Sequence, residues 1–307
     1  MIYTLTSNPA VDLNETCDGV ASNAVVRTRD AVFTPNGKGL NVSFTLRHFG
    51  VETTILGFFA GFTGDYVVEG AEGQGVRVLP VHVGGITRVN LFLTCPEGEY
   101  KFVNAGAEVD DAAEKEMIEL ISGLDDLDCL AVSGSMPPGT SEDFMDRVVD
   151  AVVSRGAEFV LDLSSDLLAR LARRGPLLIK PNDDELREVF GLEVTDDRSA
   201  EGAMGVLHGM GVKNVLLTMG DRGAYFSDGE GLWYARPNFG VRFLSSACAG
   251  DGTLGSFLAT WYAQGMPVEE ALKTCQAVGA NVVECPGLGD FGHVDEYRRR
   301  IEVRRVR

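Results

Sequence analysis

Cys248-Ala249-Gly250-Asp251-Gly252 is followed by Leu254, Phe257, Leu258 and Trp261 at helical spacing. A glycine-containing turn therefore opens onto an amphipathic helix with an acid in its first turn. A helix N-terminus offers unpaired backbone N–H groups and the positive end of the helix dipole, both of which favour a bound anion. An N-cap aspartate after a tight turn explains Asp251 taken alone. A second reading has Asp251 removing a proton from a hydroxyl while neighbouring amides hold a phosphoryl group. The surrounding chain decides between them.

Working outward, short β-rich runs recur at Ile2–Thr6, Thr53–Phe58, Cys129–Ser133, Phe159–Leu163, Leu177–Lys180 and Asn214–Met219. Helical patterns lie between several of them, such as Val42, Leu46 and Phe49, or Phe144, Val148, Val149 and Val152. Strands alternating with helices predict an α/β fold with a mostly parallel sheet covered on both faces. Ligands of such sheets bind beyond the carboxyl ends of the strands. One segment breaks the pattern. Thr87–Leu93 alternates with period two, turns at Pro96-Glu97-Gly98 and returns through Tyr100–Asn104. This reads as a hairpin with an apolar face (Val89, Leu91, Leu93) and a face presenting Arg88 and Asn90. It is either an edge hairpin with a solvated arginine or a lid that forms a small second sheet with the segment around Asp12–Arg29.

Asn36-Gly37-Lys38-Gly39-Leu40-Asn41 opens a helix that ends at Gly50. It is no Walker A loop, since glycine follows the lysine and the GxxxxGK spacing is missing. A cation at a helix N-terminus is unfavourable without an anion nearby, which makes Lys38 a candidate ligand group. Lys180-Pro181-Asn182-Asp183-Asp184-Glu185 follows a strand, with Asn182 and Glu185 in the relation of a capping box. The functional alternative has Asn182 and Glu185 orienting a hydrated magnesium ion, which needs few protein ligands. Thr218-Met219-Gly220-Asp221-Arg222-Gly223 is, alone, a turn after a strand.

Composition narrows the partners. The 307 residues carry 27 Lys and Arg against 45 Asp and Glu, a net charge of -18. That field argues against nucleic acid and anionic membrane as main partners. An anionic small molecule would need a local basic pocket. The six cysteines form no CxxC pair, the N-terminus lacks a secretory pattern, and no apolar run is long enough to span a bilayer. A reduced, soluble, cytoplasmic protein is the expectation. Gly287–Gly292 fits GxGxxG literally but follows Cys285-Pro286 rather than a strand, so it is rejected as a dinucleotide site. The arginines at 298, 299, 300, 304, 305 and 307 read as a solvated tail.

Taken in order, these motifs resemble the PfkB/ribokinase family, more narrowly its phosphosugar branch of 1-phosphofructokinases and tagatose-6-phosphate kinases. Thr4–Asp12 is similar to that branch's opening, Gly37-Lys38-Gly39-Leu40-Asn41-Val42 to GGKGxNV, and Thr87-Arg88-Val89-Asn90 to its lid strand. Ser133–Gly139 resembles SGSLPxG, Lys180 to Glu185 resembles KPNxxE, Thr218, Gly220 and Gly223 match [ST]xGxxG, and Cys248 to Asp251 occupies GAGD.

The resemblance implies a ribokinase-like three-layer core with a small β-sheet lid, in one domain over 1–307 with lid segments about 12–30 and 86–105. It also implies an ATP- and Mg2+-dependent kinase for fructose 1-phosphate, fructose 6-phosphate or tagatose 6-phosphate. Asp251 would be the base, with Cys248, Ala249 and Gly250 in the anion hole. Asp12, Asn36, Gly37, Lys38, Asn41, Arg88, Asn90 and Ser135 would bind the sugar phosphate, Lys38 and Arg88 gripping its phosphate. Asn182, Glu185, Thr218, Gly220 and Gly223 would bind the nucleotide, the first two addressing magnesium through water. A homodimer through the lid fits the same family. Two departures stand out: Asn36 and Cys248 each replace a glycine of the pattern. A thiol at a helix N-terminus is expected to have a lowered pKa and to be oxidisable. Two other readings stay open, a kinase for an unphosphorylated sugar or nucleoside, and a sugar-phosphate-binding pseudokinase.

Overall fold

The computed structural model describes residues 1–307. Fourteen strands follow the chain: β1 Ile2–Thr6, β2 Ala10–Thr16, β3 Arg29–Asn36, β4 Thr53–Ala60, β5 Arg77–Val83, β6 Arg88–Cys95, β7 Gly98–Phe102, β8 Cys129–Ser133, β9 Glu158–Asp162, β10 Leu178–Ile179, β11 Val215–Thr218, β12 Ala224–Ser227, β13 Leu232–Pro237 and β14 Ile301–Arg305. The ten-stranded sheet runs β14-β13-β12-β11-β10-β9-β8-β1-β4-β5. Its pairs from β5 through β11 are parallel and the last three antiparallel.

Strands β1, β4 and β8 are buried at every residue, as a sheet covered on both faces requires. Alternate residues enter opposite cores: Leu130 and Val132 one, Cys129 and Ala131 the other. Helices α1 (Lys38–His48) and α2 (Gly61–Gly73) follow β3 and β4. The first core takes side chains of α3 (Asp111–Ser122), α4 (Phe144–Ser154), α5 (Asp166–Ala172), α6 (Asp183–Phe190) and α7 (Asp197–Gly209). The second takes α1, α8 (Ala249–Phe257), α9 (Val268–Val282) and α10 (Val294–Arg298). Leu254 and Phe257, both fully buried, anchor α8 with about 2 kcal/mol each. Beyond Phe257 the helix widens to a π-helical turn over Leu258–Ala263, so the spacing to Trp261 is not purely α-helical.

The small sheet runs β3-β2-β6-β7, with β2 and β6 parallel and both outer pairs antiparallel. Its third strand continues to Asn36, past the expected boundary near residue 30. The reason is register: Ala10 pairs with both Asn36 and Arg88, so β3 stays in the sheet until it meets the core. The C-terminal arginines are not a solvated tail. Residues 301–305 form an edge strand, Arg304 and Arg307 pair with Asp197 and Glu201, and Arg305 lies over the Trp233 ring. Gly287–Gly292 lies between α9 and α10 and follows no strand. No helix is long and apolar enough to cross a membrane.

Candidate active site

The motif residues converge where the parallel strands end. Gly37 and Gly39 place the start of α1 against the end of β1. A Cβ on Gly39 would lie 2.3 Å from Thr6 Oγ1 and one on Gly37 2.5 Å from Thr6 Cγ2, so close approach of the protein to itself demands both glycines. That seating delivers Asn41 to α8: Asn41 Nδ2 donates to Asp251 Oδ2 at 2.8 Å. Asp251 is 6% exposed. Burial, then the nearby Asp162 carboxylate, push its pKa up to about 6, against the opposing pull of Lys38, the Asn41 hydrogen bond and Lys180. The N–H groups of Gly250 and Asp251 lie in the first turn of α8, where no intrahelical acceptor exists. A buried carboxylate poised near neutrality beside such amides is what general-base chemistry next to an anion requires.

A hydrogen-bonded chain connects this carboxylate to the lid. Asn41 Nδ2 also reaches Asn36 Oδ1 at 2.9 Å, Asn36 Nδ2 donates to Asp12 Oδ2, and Asn90 Nδ2 donates to Asp12 Oδ1 at 2.9 Å. Burial raises the Asp12 pKa against these two amides and Arg88. Arg88 donates to the carbonyls of Asn8 (2.9 Å) and Asn104 (3.1 Å), while its buried Nε has no partner. Burial lowers its pKa, opposed by Asp12. Ser135 is exposed, with its hydroxyl 3.5 Å from Asn8 Nδ2.

Lys38 faces elsewhere. Its Nζ lies 3.9 Å from Asp162 Oδ1 and donates to Ser164 Oγ at 3.4 Å, and Asp162 leads the carboxylates that raise its pKa. The structure therefore gives Lys38 and Arg88 different neighbours rather than one shared site. Asp162 is absent from the candidates drawn from sequence. It ends β9 at 1% exposure, 3.1 Å from Lys180 Nζ. Burial opposes its ionisation, but Lys180 and Lys38 outweigh that and hold its carboxyl below the usual range. An acid inside the apolar run Phe159–Leu163 was the signal that could have found it.

Asn182 and Glu185 form the capping box: Glu185 N–H donates to Asn182 Oδ1 at 2.8 Å, and Asn182 N–H to Glu185 Oε2 at 2.9 Å. Glu185 Oε1 accepts from Ser164 Oγ. Asn182 bridges to Thr218, so two motifs distant in sequence lie side by side at the ends of β10 and β11. Gly220 and Gly223 turn the chain there with φ of 59° and 93°. No group of three His, Cys, Asp or Glu side chains could hold a metal directly. Both Glu185 oxygens already accept a protein hydrogen bond, and Asn182 Nδ2 donates to no protein acceptor. Each Glu185 oxygen keeps a second lone pair that fits a water of a hydrated magnesium ion, whereas the free Asn182 Nδ2 is a donor and fits a phosphate oxygen.

Cys248 contradicts the expectation of an acidic thiol. Burial, then Asp251 and Asp12, raise its pKa strongly, because desolvation and two carboxylates outweigh the helix dipole. It caps α8 in the left-handed region at φ 64°, where a side chain is strained.

Comparison with known proteins decides the family. The family model described as pfkB family carbohydrate kinase matches residues 5–293. The chain belongs to that family. It is an ATP-dependent carbohydrate kinase. Among its relatives, the D-tagatose-1-phosphate kinase of Klebsiella oxytoca is 42% identical over 303 residues, 99% of each chain. The 1-phosphofructokinase of Bacillus subtilis (strain 168) is 29% identical over 306 residues, 100% of each chain. The crystal structure of phosphofructokinase-2 from Escherichia coli in complex with fructose-6-phosphate superposes with a TM-score of 0.88 at 25% identity, covering 97% of this chain and 98% of that one. The α/β core with a mostly parallel large sheet plus a small sheet is thus the arrangement of this kinase family.

Proposed function

We propose that this kinase transfers the γ-phosphoryl group of ATP to a primary hydroxyl of a ketohexose phosphate, with D-tagatose 1-phosphate and D-fructose 1-phosphate the favoured acceptors. The observation that carries the reading is Arg88, a largely buried cation with no acidic partner within ion-pair distance. It shares a lid face with Asn90, which reaches Asp12, and through Asn36 and Asn41 the chain of bonds ends at Asp251. A phosphate held at Arg88 would place the far end of an extended ketose toward the base. The name of the Klebsiella relative, and of a second D-tagatose-1-phosphate kinase from Bacillus licheniformis at 33% identity, supports a phosphate on carbon 1.

In this mechanism Asp251 accepts the hydroxyl proton as the oxygen attacks phosphorus. The amides of Gly250 and Asp251 meet the charge on the transferred group, while the Ala249 N–H is turned to the Ser246 carbonyl at 3.4 Å. Lys38, facing Asp162 and Asp251 rather than Arg88, serves the transferred phosphoryl instead of the acceptor's own phosphate. Glu185 would accept from the water shell of a magnesium ion and Asn182 would donate to a phosphate oxygen beside it, and the ion would neutralise charge on the nucleotide phosphates. Thr218, Gly220 and Gly223 line the nucleotide, and the reaction belongs in the reducing cytoplasm, with all six cysteines free.

The lid also carries a dimer surface. Phe33, Leu13, Leu91 and Phe102 are register partners in a row across all four strands, hence on one face, and the two phenylalanines are 53% and 54% exposed. A second copy of the chain covers this row. A coupled ADP-release assay with the 1- and 6-phosphates of fructose and tagatose, free fructose and a nucleoside tests the acceptor. Turnover of free fructose or the nucleoside equal to every phosphosugar sinks the proposal. ADP release from none of them supports the pseudokinase reading instead.

A further inference from the structure

Asn41 is over-committed. Its single amide nitrogen, with two hydrogens, faces three acceptors: Asp251 Oδ2 at 2.8 Å, Asn36 Oδ1 at 2.9 Å and Cys248 Sγ at 3.3 Å. Sulfur is the weakest of the three, so Asn36 and Asp251 take the hydrogens. Asn36 Oδ1 also accepts the Gly37 N–H at 2.6 Å, which fixes the amide orientation by two donors. Its Nδ2 then points at Asp12 with one hydrogen and keeps the other free. Asp12 and Asn90 are each 7% exposed and Asn36 is half-buried beside them, so carboxylate and amides form one cradle between lid and base that opens at Asn36. Nothing in the packing of β3 asks for an amide at position 36. Its neighbour Pro35 meets α2, whereas the Asn36 side chain turns to the polar groups.

We propose that Asn36 is the residue that selects the acceptor's hydroxyl configuration. The inference rests on the ketohexose-phosphate reading above and adds to it the group that discriminates between epimers. Asp12 offers acceptor lone pairs, and the free Asn36 N–H offers a donor beside them. A donor next to an acceptor at fixed separation binds two neighbouring hydroxyls only in one relative configuration, because inverting one carbon moves its oxygen out of reach. The wrong epimer leaves a buried amide or carboxylate position unpaired, which is where polar sites gain most of their discrimination. D-tagatose and D-fructose differ by inversion at one such carbon.

The test compares kcat/KM for D-tagatose 1-phosphate and D-fructose 1-phosphate in the wild type, Asn36→Ala and Asn36→Gly, with melting temperatures measured in parallel. Loss of a hydrogen bond to a polar substrate should lower kcat/KM for the preferred epimer by about 10- to 100-fold. The other epimer should change less than about threefold, so the ratio between them collapses, while KM for ATP stays within about twofold. A merely structural role would lower both epimers by the same factor. An unchanged ratio in whichever folded variant is obtained overturns the assignment. A wild-type enzyme inert toward every ketohexose phosphate would overturn the acceptor reading itself, a result distinct from an active enzyme whose ratio ignores Asn36.

Discussion

Replacing Asp251 by asparagine should make the protein more stable and nearly inactive. The carboxyl titrates near 6 in the fold against 3.8 outside it, because burial disfavours its charge before any neighbour acts. About two pKa units at 1.36 kcal/mol each is about 3 kcal/mol of destabilisation once the group is ionised in both states. The sign follows from proton binding. Between the two pKa values the folded state holds the proton that the unfolded state has lost, so stability falls as pH rises from about 4 to 6. Below the unfolded value the penalty vanishes, at pH 5 about half is present, and above pH 6 it is complete. Asparagine keeps an oxygen to accept from Asn41 and carries no charge. Urea unfolding should therefore show Asp251→Asn more stable than wild type by about 1–3 kcal/mol at pH 7.5, with roughly half that gap at pH 5. In the coupled assay kcat should fall by about 10²–10⁴, the range for a removed general base, with ATP binding retained. Near-normal turnover would remove Asp251 from the chemistry. A variant less stable than wild type at pH 7.5 would refute the argument from burial.

Wild-type kcat/KM should lose about tenfold per pH unit below about 6, as the base protonates; a flat profile from pH 7 to 5 excludes this. Arg88→Ala should raise KM for the phosphosugar by about tenfold or more, with KM for ATP unchanged, since the cation has no ion pair to lose within the protein. Equal effects on both substrates would count against its place at the acceptor phosphate. Cys248 should react with iodoacetamide at pH 8 at least about tenfold more slowly than a free thiol, its raised pKa leaving little thiolate; rapid labelling would contradict the buried, carboxylate-flanked thiol. Glutamate at both Phe33 and Phe102 should convert a dimer to a monomer in sedimentation, and an unaltered oligomer would place the contact elsewhere.

The sequence alone determined the fold class, because buried parallel strands must be continuous apolar runs and their helices must repeat near 3.6 residues. It also made Asp251 a candidate base, not from its own turn, which an N-cap aspartate explains equally well, but from the ordered set of motifs around it. Local pattern ends where distance along the chain begins. Asp162 was invisible as a partner of Lys180 and Lys38 because β9, β10 and α1 meet only in the folded sheet. The short antiparallel edge β12 to β14 escaped reading for the same reason: its strands of four to six residues depend on cross-strand pairing more than on their own composition. Tertiary structure decided the protonation of the site. Helix position favours the ionised form of both the Cys248 thiol and the Asp251 carboxyl, whereas burial and nearby carboxylates raise both pKa values. Desolvation is a property of the surrounding three-dimensional shell, and a one-dimensional pattern does not contain it.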